Sequence, residues 1–309
     1  MDPLSALLDG PRARSAFIVR AVFSPPWSLR IQDEAPLAFI TLVRGTAWIV
    51  ADTDTPVELQ PGDVAIVPGP RHYTVADNPT TAPQIVIHEG QRCTTPDGDE
   101  LAQSMNLGVR TWGTDPNGET MLLTGIYDVP GEISGRMLSA IPGTIVVRAA
   151  SWDSRLIPLL HEEAARDQPG QEAVLDRLLD LLLIAALRAW FSRPEADTPA
   201  WYQAQNDPVV GKALRALQHN PTHPWTLASL AAETHVSRAT LAHRFHDLVG
   251  EPPMTYLTRW RLSLAADLLR ASETTIANVA GQVGYGSPYA LSTAFKRVYG
   301  VSPHHYRGQ

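Results

Sequence analysis

Cys93 is the only cysteine in 309 residues, so no disulfide can form within the chain and a reducing cytoplasm is the expected setting. Long apolar runs are missing too. The richest, "LLDLLLIAALRAWF", is broken by Asp180 and Arg188, leaving Leu181–Leu187 uncharged. That is about a third of the roughly 20 residues needed to span a bilayer, so no membrane association is expected. The opening "MDPLSALLDGPRAR" has no basic stretch leading into an apolar one, so export is not expected either. Net positive charge is absent: the chain carries −7 at pH 7, which excludes a generic polyanion binder. What is present, 44% hydrophobic and 18% charged residues, suits a globular protein, and the length suits two domains.

The negative average hides a split. From 201 onward there are ten Lys/Arg against six Asp/Glu, a balance of +4 that leaves −11 for the rest. Seven of the ten histidines also lie in this last third. An acidic front joined to a basic back implies two jobs, the second involving an anion.

Up to about 150 the pattern is that of short strands with Gly/Pro punctuation. "LAFITLVRGTAWIVA" alternates around a turn at Gly45, and "PVELQPGDVAIVPGP" places strands on either side of Pro61-Gly62. "RHYTVA", "PQIVIHEG", "TMLLTGIYDV" and "TIVVRA" continue the series, which reads as a small antiparallel barrel or sandwich. From Trp152 the period becomes helical. Two segments separated by Pro169-Gly170 follow, the second with apolar residues at 174, 175, 178, 179, 182, 183, 186 and 187. The pair either packs on its own barrel or also docks against its twin in a homodimer. "SRPEADTPAWYQAQNDP" reads as a linker.

The back third says one thing twice. "TLASLAAETHVSRATLAHRFHDLVGEPPMTYL" aligns with "TIANVAGQVGYGSPYALSTAFKRVYGVSPHHYR", with one residue of slippage. Thr226 and Thr275 each open an apolar helix with a small-residue patch. Ser237 and Ser287 are N-cap candidates for a second helix, which stops at Gly250 or Gly300. A short helix, a turn and a second helix crossing through Ala/Gly make helix-turn-helix geometry. A solenoid would need about three copies, and there are two. A connecting helix, "EPPMTYLTRWRLSLAADLLRAS", with an apolar face at 257, 264, 265 and 268, would hold two reading heads about 34 Å apart, one turn of DNA. Phe245, Phe295, Ile276, Val279, Tyr285 and Trp260 are expected in the core.

"GYGSPYALSTAFKRVYGVSPHHYR" closely resembles the signature of the AraC/XylS family of bacterial transcription regulators, and "LVGEPPMTYLTRWRL" is similar to members with a cupin-like N-terminal domain. The resemblance implies an α+β chain. A cupin-like sensor and dimerisation domain would occupy 1–192, with a barrel over about 15–150 and helices over 152–192. A linker over 193–207 and an all-α double helix-turn-helix DNA-binding domain over 208–309 would complete it. It implies sequence-specific binding of double-stranded promoter DNA, an unidentified small-molecule effector, a homodimer and contact with RNA polymerase. Activator and repressor roles both stay open. Carried over residue by residue, the groove-facing positions are Arg238, Ala239, Ala242 and His243 in the first reading helix, with Arg244 toward phosphate. In the second they are Pro288, Tyr289, Ser292 and Thr293, with Lys296 and Arg297 near the backbone. Arg238 can grip guanine with its bidentate fork, and a Thr or Ala methyl can pack on a thymine methyl. Ala239 and Ala242 stand where relatives carry larger polar residues, which weakens base reading by that helix.

In the front, "GDVAIVPGPRHYTVADN" is similar to the second cupin motif through Gly62, Pro68, His72 and Asn78, with Pro70 in place of the usual Gly. A metal-dependent cupin enzyme also needs an earlier His-x-His and a Glu, and "LAFITLVRGTAWIVA" has neither residue type. Cupin catalysis is therefore not expected, and a catalytic set is assigned to none of the residues. His72, His88 and Cys93 remain as metal-competent side chains that could serve Zn or another divalent metal in a sensor, or a thiol signal. Some cupin-bearing relatives carry Cys-Gly where this chain has Thr124-Gly125, which argues against a redox switch of that design. The resemblance leaves a small organic ligand, lined by residues such as Trp48, Ile66 and Tyr73, as the expected signal.

Overall fold

The computed structural model describes residues 17–52, 55–127, 141, 143–193, 200–271 and 274–308. The described residues up to Arg193 form one compact unit and those from Ala200 onward another. Among them, no helix is long and apolar enough to cross a membrane.

The first unit is built from strands β1 (Phe17–Phe23), β2 (Ser28–Gln32), β3 (Leu37–Arg44), β4 (Ala47–Ala51), β5 (Val57–Leu59), β6 (Val64–Pro68) and β7 (Tyr73–Ala76). They are followed by β8 (Ile85–His88), β9 (Arg92–Thr94), β10 (Asn106–Gly108), β11 (Thr111–Gly113), β12 (Thr120–Tyr127) and β13 (Ile145–Val147). One sheet runs β10-β11-β1-β12-β3-β6-β13 and the other β5-β4-β7-β2-β8-β9. Alternation turns Ala21, Leu29, Ala38, Ile40, Ala65, Val67 and Leu122 inward, where Phe23 stacks on Trp27 at 5.0 Å.

Two expectations need correcting. The sheets are mixed, because β1 pairs with β11 and β2 with β8 in parallel. The turn at Gly45 does not join neighbours: β3 pairs with β6 and β12, β4 with β5 and β7. Gly45 has φ +85, and a Cβ there would lie 2.7 Å from Thr120 Oγ1, so a glycine lets the chain cross between sheets tight against β12.

Helices α1 (Leu156–Ala164) and α2 (Gln171–Phe191) cover the other face of the first sheet. Gly125 leaves room for Leu179, and the Tyr127 hydroxyl donates to the Leu179 carbonyl at 2.9 Å. Leu175, Leu179, Leu182, Leu183, Ala186 and Leu187 are buried as the periodicity predicts. Val174 is not: it is 45% exposed, with Leu181 and Leu159 beside it in that class. Asp180, which interrupts the apolar run in sequence, is buried 3.5 Å from Arg177.

The second unit comprises α3 (Ala200–Ala204), α4 (Val210–His219), α5 (Leu227–Glu233), α6 (Arg238–Val249), α7 (Pro253–Ala271), α8 (Ile276–Gln282), α9 (Pro288–Tyr299) and α10 (Pro303–Arg307). It has two cores. Leu214, Leu217, Leu230, Leu241, Phe245 and Leu257 make one; Leu262, Leu269, Val279, Leu291, Phe295 and Tyr306 make the other. Helix α7 serves both, its first turns in one core and its later turns in the other. Its most buried positions are Leu257, Leu262, Ala265, Ala266 and Leu269, so the expected face at 264 and 268 is rotated: those two leucines are only half-buried. Phe245, Phe295, Val279 and Trp260 are in the core as expected, with Ile276 and Tyr285 packed at its edge.

Candidate nucleic-acid interface and barrel cavity

The two helix pairs are built by the same local chemistry. The Thr226 side chain accepts from the Ser229 N–H while the Ser229 hydroxyl accepts from the Thr226 N–H, a reciprocal cap on α5. Thr275 caps α8 through Asn278. The hydroxyls of Ser237 and Ser287 accept from the N–H groups of Thr240 and Ala290, starting α6 and α9. Gly250 and Gly300 end them with φ of 86° and 76°. Each second helix fully buries one i, i+4 pair, Leu241/Phe245 or Leu291/Phe295, and leaves its remaining residues exposed or half-buried.

The turn before each second helix needs one residue of positive φ. In the first pair it is His235 at +59°, in the second Gly284 at +84°. The difference is steric. A Cβ on Gly284 would meet the Thr222 Cα at 2.7 Å and the Pro221 carbonyl at 2.8 Å.

On the outward faces, Arg238, Ala239, His243 and Arg244 of α6 are exposed and Ala242 is half-buried. On α9, Pro288, Tyr289, Thr293, Lys296 and Arg297 are exposed and Ser292 is half-buried. Tyr289 is 82% exposed, an aromatic face with no protein to cover it. His243 sits 3.3 Å from Asp247 on the next turn. Arg244 has a partner within the protein. Its guanidinium holds the Asp207 carboxylate at 2.9 and 2.5 Å, and Asp207 also accepts from the N–H groups of Val209 and Val210. Burial alone would raise the Asp207 carboxyl, but those N–H groups and Arg244 outweigh it and hold it below its ordinary value. Arg244 therefore ties α6 to the start of α4.

The other cations sort the same way. Lys212 reaches Glu233, Arg259 reaches Glu251, Arg261 donates to the carbonyls of Pro221 and His223, and Arg270 lies over the Tyr306 ring. Arg215 and Arg307 donate to the carbonyls of Gln205 and Thr274. Among the described residues, the cations of this unit with neither ion pair nor hydrogen bond are Arg238, Lys296 and Arg297. All three lie on α6 and α9. A fork-shaped donor at a helix N-terminus can read a base edge, and a cation farther along can neutralise phosphate.

In the first unit the two sheets enclose a cavity of about 220 Å3. A row across one sheet, Tyr73–Ile31–Ile87–Cys93, faces Ala21, Trp112 and Thr124 from the other. Asp33 and Gln91 complete the polar part of a mostly apolar wall. Burial, and then the Asp33 charge, push the Tyr73 phenol well above its ordinary value. Burial, with Glu100, likewise raises the Cys93 thiol, so it is not a ready nucleophile. Tyr73 lines the cavity as expected. Trp48 and Ile66 do not, because Ala47, Ile49, Ala65 and Val67 take the inward positions and alternation turns their neighbours away. Asp33, Gln91 and Trp112 escape the motif search. The signal for Asp33 is the period-2 series Leu29, Ile31, Asp33, which puts its carboxylate on the inward side.

The three metal-competent side chains are not brought together. Half-exposed His72 pairs with Glu34 at 2.6 Å, and His88 bonds Thr94 at 2.9 Å on the opposite face from Cys93. Among the described residues no three His, Cys, Asp or Glu converge on a metal position. Together with the missing His-x-His and Glu, this donor set does not fit the metal of a cupin enzyme.

The profile of the cupin family matches residues 2–192, and that of a helix-turn-helix domain matches residues 230–309. An AraC-like transcription regulator of Streptomyces lividans is 32% identical over 99% of this chain and 98% of its own length. The helix-turn-helix transcriptional regulator AlkR of Acinetobacter baylyi is 27% identical, with both chains covered in full. A solved structure of the DNA-binding domain of AdpA, a global transcriptional factor, in complex with a target DNA matches at 36% identity. It covers 33% of this chain and 92% of the other, with a TM-score of 0.32.

Proposed function

From the premise that this chain belongs to the family of AraC-like transcription regulators with a cupin N-terminal domain, we propose how its parts divide the work. The protein is a DNA-binding regulator and binds double-stranded DNA through the helix-turn-helix domain. Helices α6 and α9 enter successive major grooves of promoter DNA. Arg238 reads a base edge, Tyr289, Ser292 and Thr293 meet bases in the second groove, and Lys296 and Arg297 neutralise phosphates. One observation supports this: among the described residues every other Lys and Arg of the unit is held by an ion pair, a hydrogen bond or a ring, while these three make no ion pair or hydrogen bond and lie on the two outward faces. Helix α7, with 19 residues, is about 28 Å long at 1.5 Å per residue, close to the pitch of one DNA turn.

The barrel cavity takes a small effector, and a second copy of the chain docks on the apolar face that includes Leu159, Val174 and Leu181. The bound signal is relayed to RNA polymerase from the cytoplasmic promoter complex. The protein acts as a regulator rather than a catalyst. Footprinting of the purified chain on its own upstream region, repeated across salt concentrations, tests the core of this reading. Protection of a defined site over random DNA is expected, and uniform affinity for both at moderate salt would defeat it. Sedimentation of wild type against Leu181→Asp tests the second copy, with a shift from dimer to monomer expected.

A further inference from the structure

The cavity between the sheets has a polarity that a neutral or anionic effector would not explain. Its lining is mostly apolar; Thr124 adds a hydroxyl on one sheet, and the one charged side chain among the described residues that line it, Asp33, meets Tyr73 and Gln91 at a corner. Asp33 is 8% exposed. Its carboxylate accepts the Ala35 N–H at 3.2 Å and the Gln91 amide at 3.1 Å. Both donors are neutral. Among the described residues no Lys, Arg or His lines the cavity and no cation is paired with Asp33. A buried carboxylate without a counter-charge carries a desolvation cost that two neutral hydrogen bonds offset only in part.

Two aromatic side chains also line the space. Tyr73, 3% exposed, has a hydroxyl with no protein hydrogen bond among the described residues. The Trp112 indole N–H is buried and likewise without a partner. Both are aromatic rings on the cavity wall, and ring faces attract a cation when water is excluded. A carboxylate with an aromatic ring next to it and an apolar remainder make a receptor for an ammonium group on a hydrocarbon body. The volume, about 220 Å3, falls below the roughly 300–1,000 Å3 that holds drug-sized ligands, so the body is small.

We infer that the effector of this regulator is a small lipophilic amine, bound as its ammonium ion with Asp33 as counter-charge and Tyr73 beside it, its hydrocarbon body lying along the apolar wall that includes Trp112. This rests on the reading of the cavity as the effector site and adds the chemical class. An anionic effector would meet the Asp33 charge with nothing to offset it. A neutral one would leave that charge uncompensated.

The experiment is calorimetric titration of the full chain with three isosteric probes: 2-phenylethylamine, 2-phenylethanol and phenylacetate. The amine is expected to bind at least tenfold more tightly than the alcohol, with no heat from the carboxylate. Asp33→Asn should bring the amine down to the level of the alcohol and leave the alcohol unchanged. Ala102→Trp, a substitution at an exposed rim position of the cavity that needs no core rearrangement, should weaken both. Equal binding of amine and alcohol, preferred binding of phenylacetate, or no binding of any probe to the folded wild type would overturn the inference. So would an amine preference that survives Asp33→Asn, or binding indifferent to Ala102→Trp. The wild-type comparison alone decides the class if the Asn variant does not fold. No DNA is present, so failure here and failure of operator recognition are read separately.

Discussion

The two helix-turn-helix halves share a scaffold and differ where they face solvent. Thr226 and Thr275, Ser237 and Ser287, Leu241 and Leu291, Phe245 and Phe295, and Gly250 and Gly300 perform matching tasks. Even the ring packing repeats: Phe245 meets Tyr256 at 5.8 Å edge-on, and Phe295 meets Tyr306 at 5.2 Å. Outward, the first half offers one uncommitted cation and two alanines, the second offers two cations, a bare tyrosine and hydroxyls. Burial permits few substitutions and exposure permits many, so divergence collects on the two outward faces.

Four substitutions put that contrast at risk. Phe245→Ala and Phe295→Ala should each cost about 3–5 kcal/mol in thermal or urea unfolding, with similar values in the two halves. A large disparity would break the claim of a common scaffold. The turn should behave oppositely. Gly284→Ala should destabilise by more than about 1–2 kcal/mol, since left-handed strain adds to a backbone clash, whereas His235→Gly should be neutral or slightly stabilising.

Arg238→Ala should cost about 1–3 kcal/mol of operator binding and relax preference at one base pair, measured by mobility shift on a set of single-position variants. Lys296→Ala or Arg297→Ala should weaken all sequences alike and reduce the salt slope by about 1 each. Asp207→Asn should cost about 1 kcal/mol by weakening the start of α4 and its tie to Arg244. Because Asp207 is held below its ordinary value, its contribution is present above the unfolded carboxyl near pH 4 and is lost as pH falls through the lower folded value. The Asn variant should therefore lose less stability on acidification than wild type.

Much of this architecture is legible without coordinates. The caps, the glycine stops and the core phenylalanines of both halves follow from residue type and spacing, because each has a local physical cause. Non-local pairings do not. Nothing in "LAFITLVRGTAWIVA" says that its two strands enter different sheets, since the deciding contact is Gly45 against Thr120, far along the chain. The parallel pairs β1–β11 and β2–β8 are hidden for the same reason. The ion pair of Arg244 with Asp207, 37 residues away, is likewise invisible until the fold brings the two together. His72, His88 and Cys93 are close in sequence, yet strand alternation sends His88 and Cys93 to opposite faces. Asp33 matches no motif and emerges only when its strand is placed.

The Arg261 bonds to the Pro221 and His223 carbonyls, with Gly284 pressed against Thr222, lock the loop before α5, the middle of α7 and the turn before α9 into one junction. Its consequence is one of effective concentration. Under the proposed docking, seating either half in its groove holds the other at the next, and the second engagement is an intramolecular step with little orientational freedom left to lose. Such a clamp tolerates mismatched bases better than mismatched phasing. Five base pairs inserted between the half-sites would turn the second groove to the far side of the duplex, where a tethered but rigid partner cannot follow.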